Sequence, residues 1–469
     1  MGGPNLADDN IALMAHLMRR AGFGAPRHEL ETRSVKGYEA TVEELLNPED
    51  QPAVDKYELL RYHPWAWKPG TMSNPGSASW MYHMVTTQRP LQEKVTLFWH
   101  QVFATGNSKV DHWDEIADMI DMFREEGMGK FRDLLLNLSK NPAMIFWLDN
   151  NENHGESLNE NWGRELLELF SLGVGNYTET DVKEASRAFT GWTFDHKLPR
   201  FPYGRFDWDF LYRWNDHDAN KKEFLGHGGL FNGEDIIDII VEQTATAKFI
   251  CRHLYNFFVA DEPPVPTWPY TAPRDPEAIS SLVNTFVQSD GSISDVLRTL
   301  FNSVFFKNAM FARVKSPTEV VVGTMRLVGG AEFPILGYGE LSRQPGYMGQ
   351  EPLNPPTVEG WHTGNEWVNS ASLMSRINFV ADMLGDTNRP GVQTIIATLS
   401  SMGELSPGAF VDAVLEQMGS IQISQSARSE LIEHAEHEGS LIPDSSKKSG
   451  RRVSEMLQLV AAVRDYQFG

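Results

Sequence analysis

Apolar residues return every three or four positions along most of this chain, the spacing that lines one face of an α-helix. The segment DDNIALMAHLMRRAGFG offers Asp9 or Asn10 as a cap, an apolar set at Ile11, Met14, Leu17 and Met18, and Gly22 as a stop. ATVEELLNP, RPLQEKVTLFWHQVFATG, DHWDEIADMIDMFREEG and KFRDLLLNLSKNP follow the same rule, as do GEDIIDIIVEQ and TATAKFICRHLYNFFVA. The rhythm continues through PEAISSLVNTFVQ, SISDVLRTLFNS, SPTEVVVGTMRLVGG, EWVNSASLMSRINFVADML, SPGAFVDAVLEQMGS and RVSEMLQLVAAVRDY. Alternating, strand-like runs are few: WTFDHK and RFDWDFLYRW read as one small hairpin. No strand–helix alternation supports a doubly wound sheet. The pattern predicts a mainly α, multi-helical globular protein with at most a small β-hairpin and long Pro/Gly-rich loops.

Three irregular stretches interrupt the helices, at 62–79, 261–276 and 337–364. The second, DEPPVPTWPYTAPRDP, is the best boundary, because its prolines cannot continue a helix. The expected organisation is an N-terminal helical part over 1–260 that carries the candidate site, a Pro-rich connection over 261–276, and a C-terminal helical part over 277–469. There is no convincing repeat of solenoid length.

Composition narrows the function. Of 469 residues 41% are hydrophobic, enough for a sizeable core, and 22% are charged. Acids outnumber bases 63 to 41, a net charge of −22 that repels phosphate backbones, so nucleic acid is not an expected partner. The one basic run, KKSGRR at 447–452, lies among Ser and Gly and reads as a surface loop. Cys251 is the single cysteine, so no intrachain disulfide forms, and its neighbours make it a buried helix residue. The polar start MGGPNLADDN has no apolar signal core, and no run is long and apolar enough to span a membrane; both suggest a cytoplasmic protein.

Candidate chemistry concentrates in NENWGRELLELFSLGVGNYTETDVKEASRAFTGW, at 159–192. At about 100° per residue, Glu165 falls inside the apolar arc made by Leu158, Leu169 and Leu172. Glu160, Arg164 and Glu168 fall outside it as a surface ladder. A carboxylate facing inward needs a partner or a task. Thr178 reads as an N-cap with Asp181 as its capping-box acid, on a face narrowed by Ala185 and Ala188. His100 sits opposite the main apolar face of its helix, in a polar seam with Glu93 and Thr96. NDHDANKKEFLG sets His217 and Asp218 in a loop, with Lys222 as an anion contact. Each admits a structural reading beside the functional one. HExxH, GxSxG, Walker A, paired CxxC and complete EF-hand patterns are absent. The loop EPLNPPTVEGWHTGNEWVNS either presents Trp361, His362 and Trp367 to a groove or packs as a lid.

LMRRAGFG, LQEKVTLFWHQVFATG, the 159–192 stretch, HDANKKEFLG, GEDIIDIIVEQTATAKFICRHLYNFFV, KSPTEVVVG and PLNPPTVEGWHTGNEWVNSASLMSRINF occur here in one order. Together they resemble the bacterial domain-of-unknown-function family numbered 1800, from about Leu17 to Phe379. The resemblance implies a predominantly helical fold and transfers no catalytic residue, although its motifs coincide with His100, Glu165, Asp181, His217 and Asp218. Members often begin with an export signal, which this chain does not show. The family's usual FWHNHF reads FWHQVF, with Val102 in place of a second histidine.

The leading expectation is an enzyme with a buried site built from His100, Glu165, Asp181 and the His217–Asp218 loop. His100, Glu165 and Asp181 are the expected catalytic residues. His100, Glu165, His217 and Asp218 form a mixed donor set suited to Zn²⁺, Mn²⁺ or Fe²⁺, for hydrolytic or redox chemistry on a small molecule. The rival is a non-catalytic binding or assembly protein. In that case the buried acids pair with Arg164, Arg187 or Arg20, and the Trp-rich loop contacts a protein partner or carbohydrate.

Overall fold

Helix α1 (Leu6–Arg20) turns Met14, Leu17 and Met18 to the interior, none more than 1% exposed, and the chain leaves it through Gly24 with φ 88°. The structure is a computed structural model that describes residues 6–55, 57–63, 75–196, 207–443 and 447–469. Helices make up most of it, and the sheet content is two short antiparallel pairs among the described residues.

Helix α2 (Pro90–Val102) shows what enclosure demands of a sequence. Leu91, Val95, Leu97, Phe98 and Trp99 are buried around its circumference, and so are Glu93, Lys94 and His100. A buried polar group calls for a partner; Glu93 and Lys94 find theirs, and His100 does so through Nε2, while its Nδ1 has none among the described residues. Glu93 accepts from Arg124 Nε at 2.5 Å and Trp80 Nε1 at 2.9 Å, Lys94 pairs with Glu319, and His100 takes the Leu353 amide. The expected His100–Glu93 seam is therefore replaced by separate partners, with the Trp80 ring between the two: its indole N–H reaches Glu93 and its face meets His100 at 5.3 Å.

Helix α3 (Asn161–Glu168) crosses α4 (Glu179–Ala188) where Gly163 lies against Ser186. A Cβ at 163 would stand 2.2 Å from Ser186 Oγ and 3.0 Å from the Val182 carbonyl, so only glycine permits this approach. The expected hairpin is present: β1 (Trp192–His196) pairs antiparallel with β2 (Trp208–Tyr212), Trp192 opposite Tyr212. A second hairpin, β3 (Lys222–Phe224) with β4 (His227–Gly229), has three-residue strands too short to alternate visibly. Its turn, Leu225–Gly226, has positive φ at both residues, the geometry that suits a tight hairpin.

Helix α5 (Thr244–Phe258) and helix α6 (Pro317–Val328) run through the core, with Ile250, Leu254, Val321 and Val322 fully buried. Cys251 is buried there as well, its thiol pushed above its usual range by burial. One apolar cluster extends from Met14 to Tyr466 across the Pro-rich connection, so that connection does not divide the core. Apart from a 3-10 turn at Val265–Thr267, the 261–276 stretch is irregular up to Pro276, which opens the helix Pro276–Gln288. In the expected irregular stretch 337–364 there are short helices at Tyr338–Leu341 and Gln344–Tyr347. Of the stretch 62–79, residues 64–74 lie outside the described residues and Pro75–Thr86 is helical. KKSGRR is not a loop: it opens helix α7 (Lys447–Ala462), held by Val453, Met456, Leu457 and Val460 further along. Among the described residues no helix is long and apolar enough to cross a membrane.

Candidate functional site

The His217–Asp218 loop and α4 satisfy one another. Asp218 Oδ2 accepts from Arg187 Nε at 2.7 Å, and its Oδ1 from the Asn220 amide at 2.9 Å. Burial pushes this carboxyl up, but those hydrogen bonds outweigh it and hold the group down to about 2. His217 Nδ1 lies 3.0 Å from the Thr190 carbonyl, and burial moves the imidazole below its ordinary value. Lys222 points back at the Asp218 and Asn220 carbonyls rather than outward as an anion contact. Asp181 is the capping-box acid of α4: Oδ2 accepts from the Thr178 amide at 2.8 Å and Oδ1 from the Leu225 amide at 2.8 Å. It thereby clamps the second hairpin to the helix. Asp181→Ala is expected to cost about 1–2 kcal/mol, read by chemical denaturation, because a helix cap is lost and a hairpin amide loses its acceptor.

His100 is fully buried and neutral, its imidazole pushed down to about 3 by burial. Its Nε2 accepts from the Leu353 amide at 3.0 Å, and its ring meets Trp361 edge-on at 5.2 Å. Leu353 has φ 64°, unusual for a branched residue, so His100 secures a strained point where the 353–367 loop begins.

The expected metal centre of His100, Glu165, His217 and Asp218 is not assembled. Among the described residues no group of three or more His, Cys, Asp or Glu is placed to hold a metal ion. His217 and Asp218 are consumed by α4, while His100 fastens a distant loop.

Glu165 stands apart. Its carboxyl is half-buried and has neither hydrogen bond nor ion pair among the described residues. Burial first, then the charges of Glu168 and Glu359, with Arg164 opposing, push it up to about 7. Arg164 is occupied by Glu179, at 2.7 Å, and Glu160, at 3.4 Å. Glu168 accepts from the Tyr177 hydroxyl at 2.9 Å.

Both flanking acids, Glu168 and Glu359, line a cleft of about 1190 Å³. That exceeds the roughly 300–1,000 Å³ of a single small-molecule pocket and leaves room for an extended ligand. Its walls are the end of α2, the turn after α3, one face of α5, the Pro-rich connection and residues 356–366. The last wall is seated by Gly360: with φ 82°, its Cα lies so close to the Gln101 carbonyl that a Cβ would be 2.5 Å away. Trp361 and His362 do reach the cleft, whereas Trp367 packs beneath it with Val314.

Three lining residues carry buried polar atoms without partners among the described residues: His253 Nε2, Arg252 Nη2 and Asp261 Oδ1. The His253 ring lies between Phe249 and Trp268, each centroid 4.6 Å away, and burial, then the Arg252 charge, push it down to about 3. Arg252 spends Nε on Glu262 at 2.7 Å and Nη1 on the Thr271 carbonyl at 3.0 Å, and stacks on Trp268 at 4.5 Å. Asp261 Oδ2 accepts from the Val314 amide at 3.0 Å. Sequence reasoning passed over all three. The available signal was the polar pair Arg252–His253 within the apolar run of its helix, with Asp261 and Glu262 just beyond the helix end.

The arrangement defines a mainly helical protein with a large mixed aromatic and acidic cleft. The chain belongs to the family described as Protein of unknown function (DUF1800), which matches residues 16–468 and so takes in the last helix as well as the earlier motifs. Comparisons with curated proteins and with solved structures give no match.

Proposed function

We propose that the protein is an enzyme that uses general acid–base chemistry on an extended, uncharged polar ligand in this cleft. Glu165 is the proton donor, and Glu168 or Glu359 the second carboxylate. The observation that carries this reading is a half-buried carboxyl, unpaired among the described residues, that lies behind the lining of the cleft and within electrostatic reach of two acids that line it. A carboxyl that keeps its proton near neutral pH suits a general acid. Lining acids Glu168, Asp261, Glu262, Glu359 and Glu366 outnumber Lys248, Arg252 and Arg274, which disfavours polyanions. Phe249 and Trp268 offer apolar ring surface, so a carbohydrate chain is the first ligand class to try, with glycoside hydrolysis the matching reaction.

The test compares wild type with Glu165→Gln in two ways. The folded protein holds a proton on Glu165 that the unfolded chain releases at its ordinary 4.5. Its contribution therefore lowers stability as pH rises from about 4.5 to about 7, with no further change above that. Glu165→Gln should flatten that decline in melts across this pH window. Against a panel of oligosaccharides and chromogenic glycosides, Glu165→Gln should lose about 10²–10⁴-fold in turnover while remaining folded. A variant that cleaves the same substrate as fast as wild type, or melts with an unchanged pH slope, removes Glu165 from this role.

A further inference from the structure

Next to the cleft floor the interior holds more positive than negative charge. Arg20, Lys94, Arg313 and Arg376 are each no more than 2% exposed. The buried carboxylate among them is Glu319, which takes Lys94 and, at 2.8 and 2.9 Å, Arg313 Nη1. Two of the cations also close helix ends. Arg20 Nε and Nη2 donate to the Phe258 and Phe257 carbonyls at 2.9 and 2.7 Å, and Lys94 donates to the Gly22 carbonyl at 2.8 Å. A helix C-terminus is worth roughly half a negative charge, so two of them offset about one cation. Asp261 supplies one more carboxyl within electrostatic reach of Arg313 and Arg20. A positive excess remains, and Arg19 and Lys315 add to it.

The excess faces a small cavity of about 70 Å³, lined by Arg19, Arg20, Lys315, Glu319, Thr324 and Tyr466 among others. Among the described residues Arg20 Nη1 has no partner, and Arg19 Nε and Nη2 are buried without one. Nε and Nη2 form the edge of a guanidinium that matches two oxygens of one anion. Arg19 spends only Nη1, on the Gly419 carbonyl at 2.5 Å. Lys315 Nζ donates to the Tyr466 carbonyl at 2.7 Å. Burial, then neighbouring charge, pushes Lys315 down to about 7, as an uncompensated positive interior would. Gly469 also lines the cavity, close to the Lys315 side chain, and among the described residues makes no ion pair with these cations. The volume is about that of two waters in the liquid, too small for a sugar or a nucleotide.

We propose that this cavity is a binding site for one small oxyanion of the phosphate or sulfate type, held by Arg20 Nη1 and Lys315 beside the Arg19 guanidinium, whose closed-off Nε–Nη2 edge supplies charge and turns to the anion as it binds. The site is separate from the acid–base chemistry of the cleft and does not depend on it. The experiment is calorimetric titration of the full chain with inorganic phosphate and with sodium sulfate, against sodium chloride at matched ionic strength. A parallel assay for anions released on denaturation detects ion carried through purification. Saturable one-to-one binding of phosphate or sulfate, or stoichiometric release of either, supports the site. Arg20 caps a core helix and is left in place, so the variants are Arg19→Gln and Lys315→Met, each expected to bind at least tenfold more weakly. Absence of both binding and released anion overturns the proposal, and so does binding unchanged in both variants.

Discussion

Glu319→Gln is expected to remove about 3–5 kcal/mol of stability, enough to leave little soluble protein at growth temperature. Glu319 neutralises two cations at once, Lys94 and Arg313, in a place where water cannot substitute. Glutamine keeps the shape and one acceptor, so what is lost is charge. It also caps its own helix, accepting from the Ser316 amide at 2.6 Å, and the amide side chain retains part of that bond. Equilibrium denaturation measures the loss, with the exposed Glu340→Gln as a control expected to change stability by no more than about 0.5 kcal/mol. The pH response gives the mechanism. Burial pushes Lys94 from its ordinary 10.5 down to about 7, so the unfolded chain holds a proton the native state sheds. That contribution raises stability as pH climbs from about 7 towards 10.5, and without Glu319 the rise should begin at lower pH. A variant as stable as wild type would mean that the cations find their counter-charge elsewhere.

Trp361→Ala should cost about 3–5 kcal/mol and loosen one wall of the cleft. The ring is 7% exposed, packs with Val314 and Trp367, and meets the His100 ring edge-on at 5.2 Å. His100 holds the start of the same loop through the Leu353 amide, so the loop is fastened at two points by one histidine and the indole that meets it edge-on. Removing the indole leaves a void at the second point and frees Glu359 and His362 to move. Hydrogen exchange over 356–366 should quicken more than the global loss of stability explains. Trp214, 78% exposed, is the comparison, and Trp214→Ala is expected to leave both readouts within error.

What the chain disclosed about itself follows the range of the interactions. The helices, the first hairpin and the Thr178–Asp181 capping box depend on neighbours within a few positions, so they were readable. So was the inward aim of Glu165, which needs only the helical angle. His217 and Asp218 looked chemically available because the arginine that occupies Asp218 lies 31 residues earlier. His100 looked like a ligand because its acceptor role is filled from 253 residues away. KKSGRR read as a loop from its local composition, while its helix is fixed by apolar positions that come afterwards. The cleft could not be seen from any window, since its walls arise at 101–102, 168–176, 245–284 and 356–366.

That dispersal has a consequence for biosynthesis. The cleft cannot close until about residue 366 has cleared the ribosome, so a product that stops short would lack one of its walls however well its earlier helices had formed. Under the function proposed above, ligand capture becomes a late checkpoint on completeness, and saturating ligand should shield the finished molecule from proteases without protecting truncated ones.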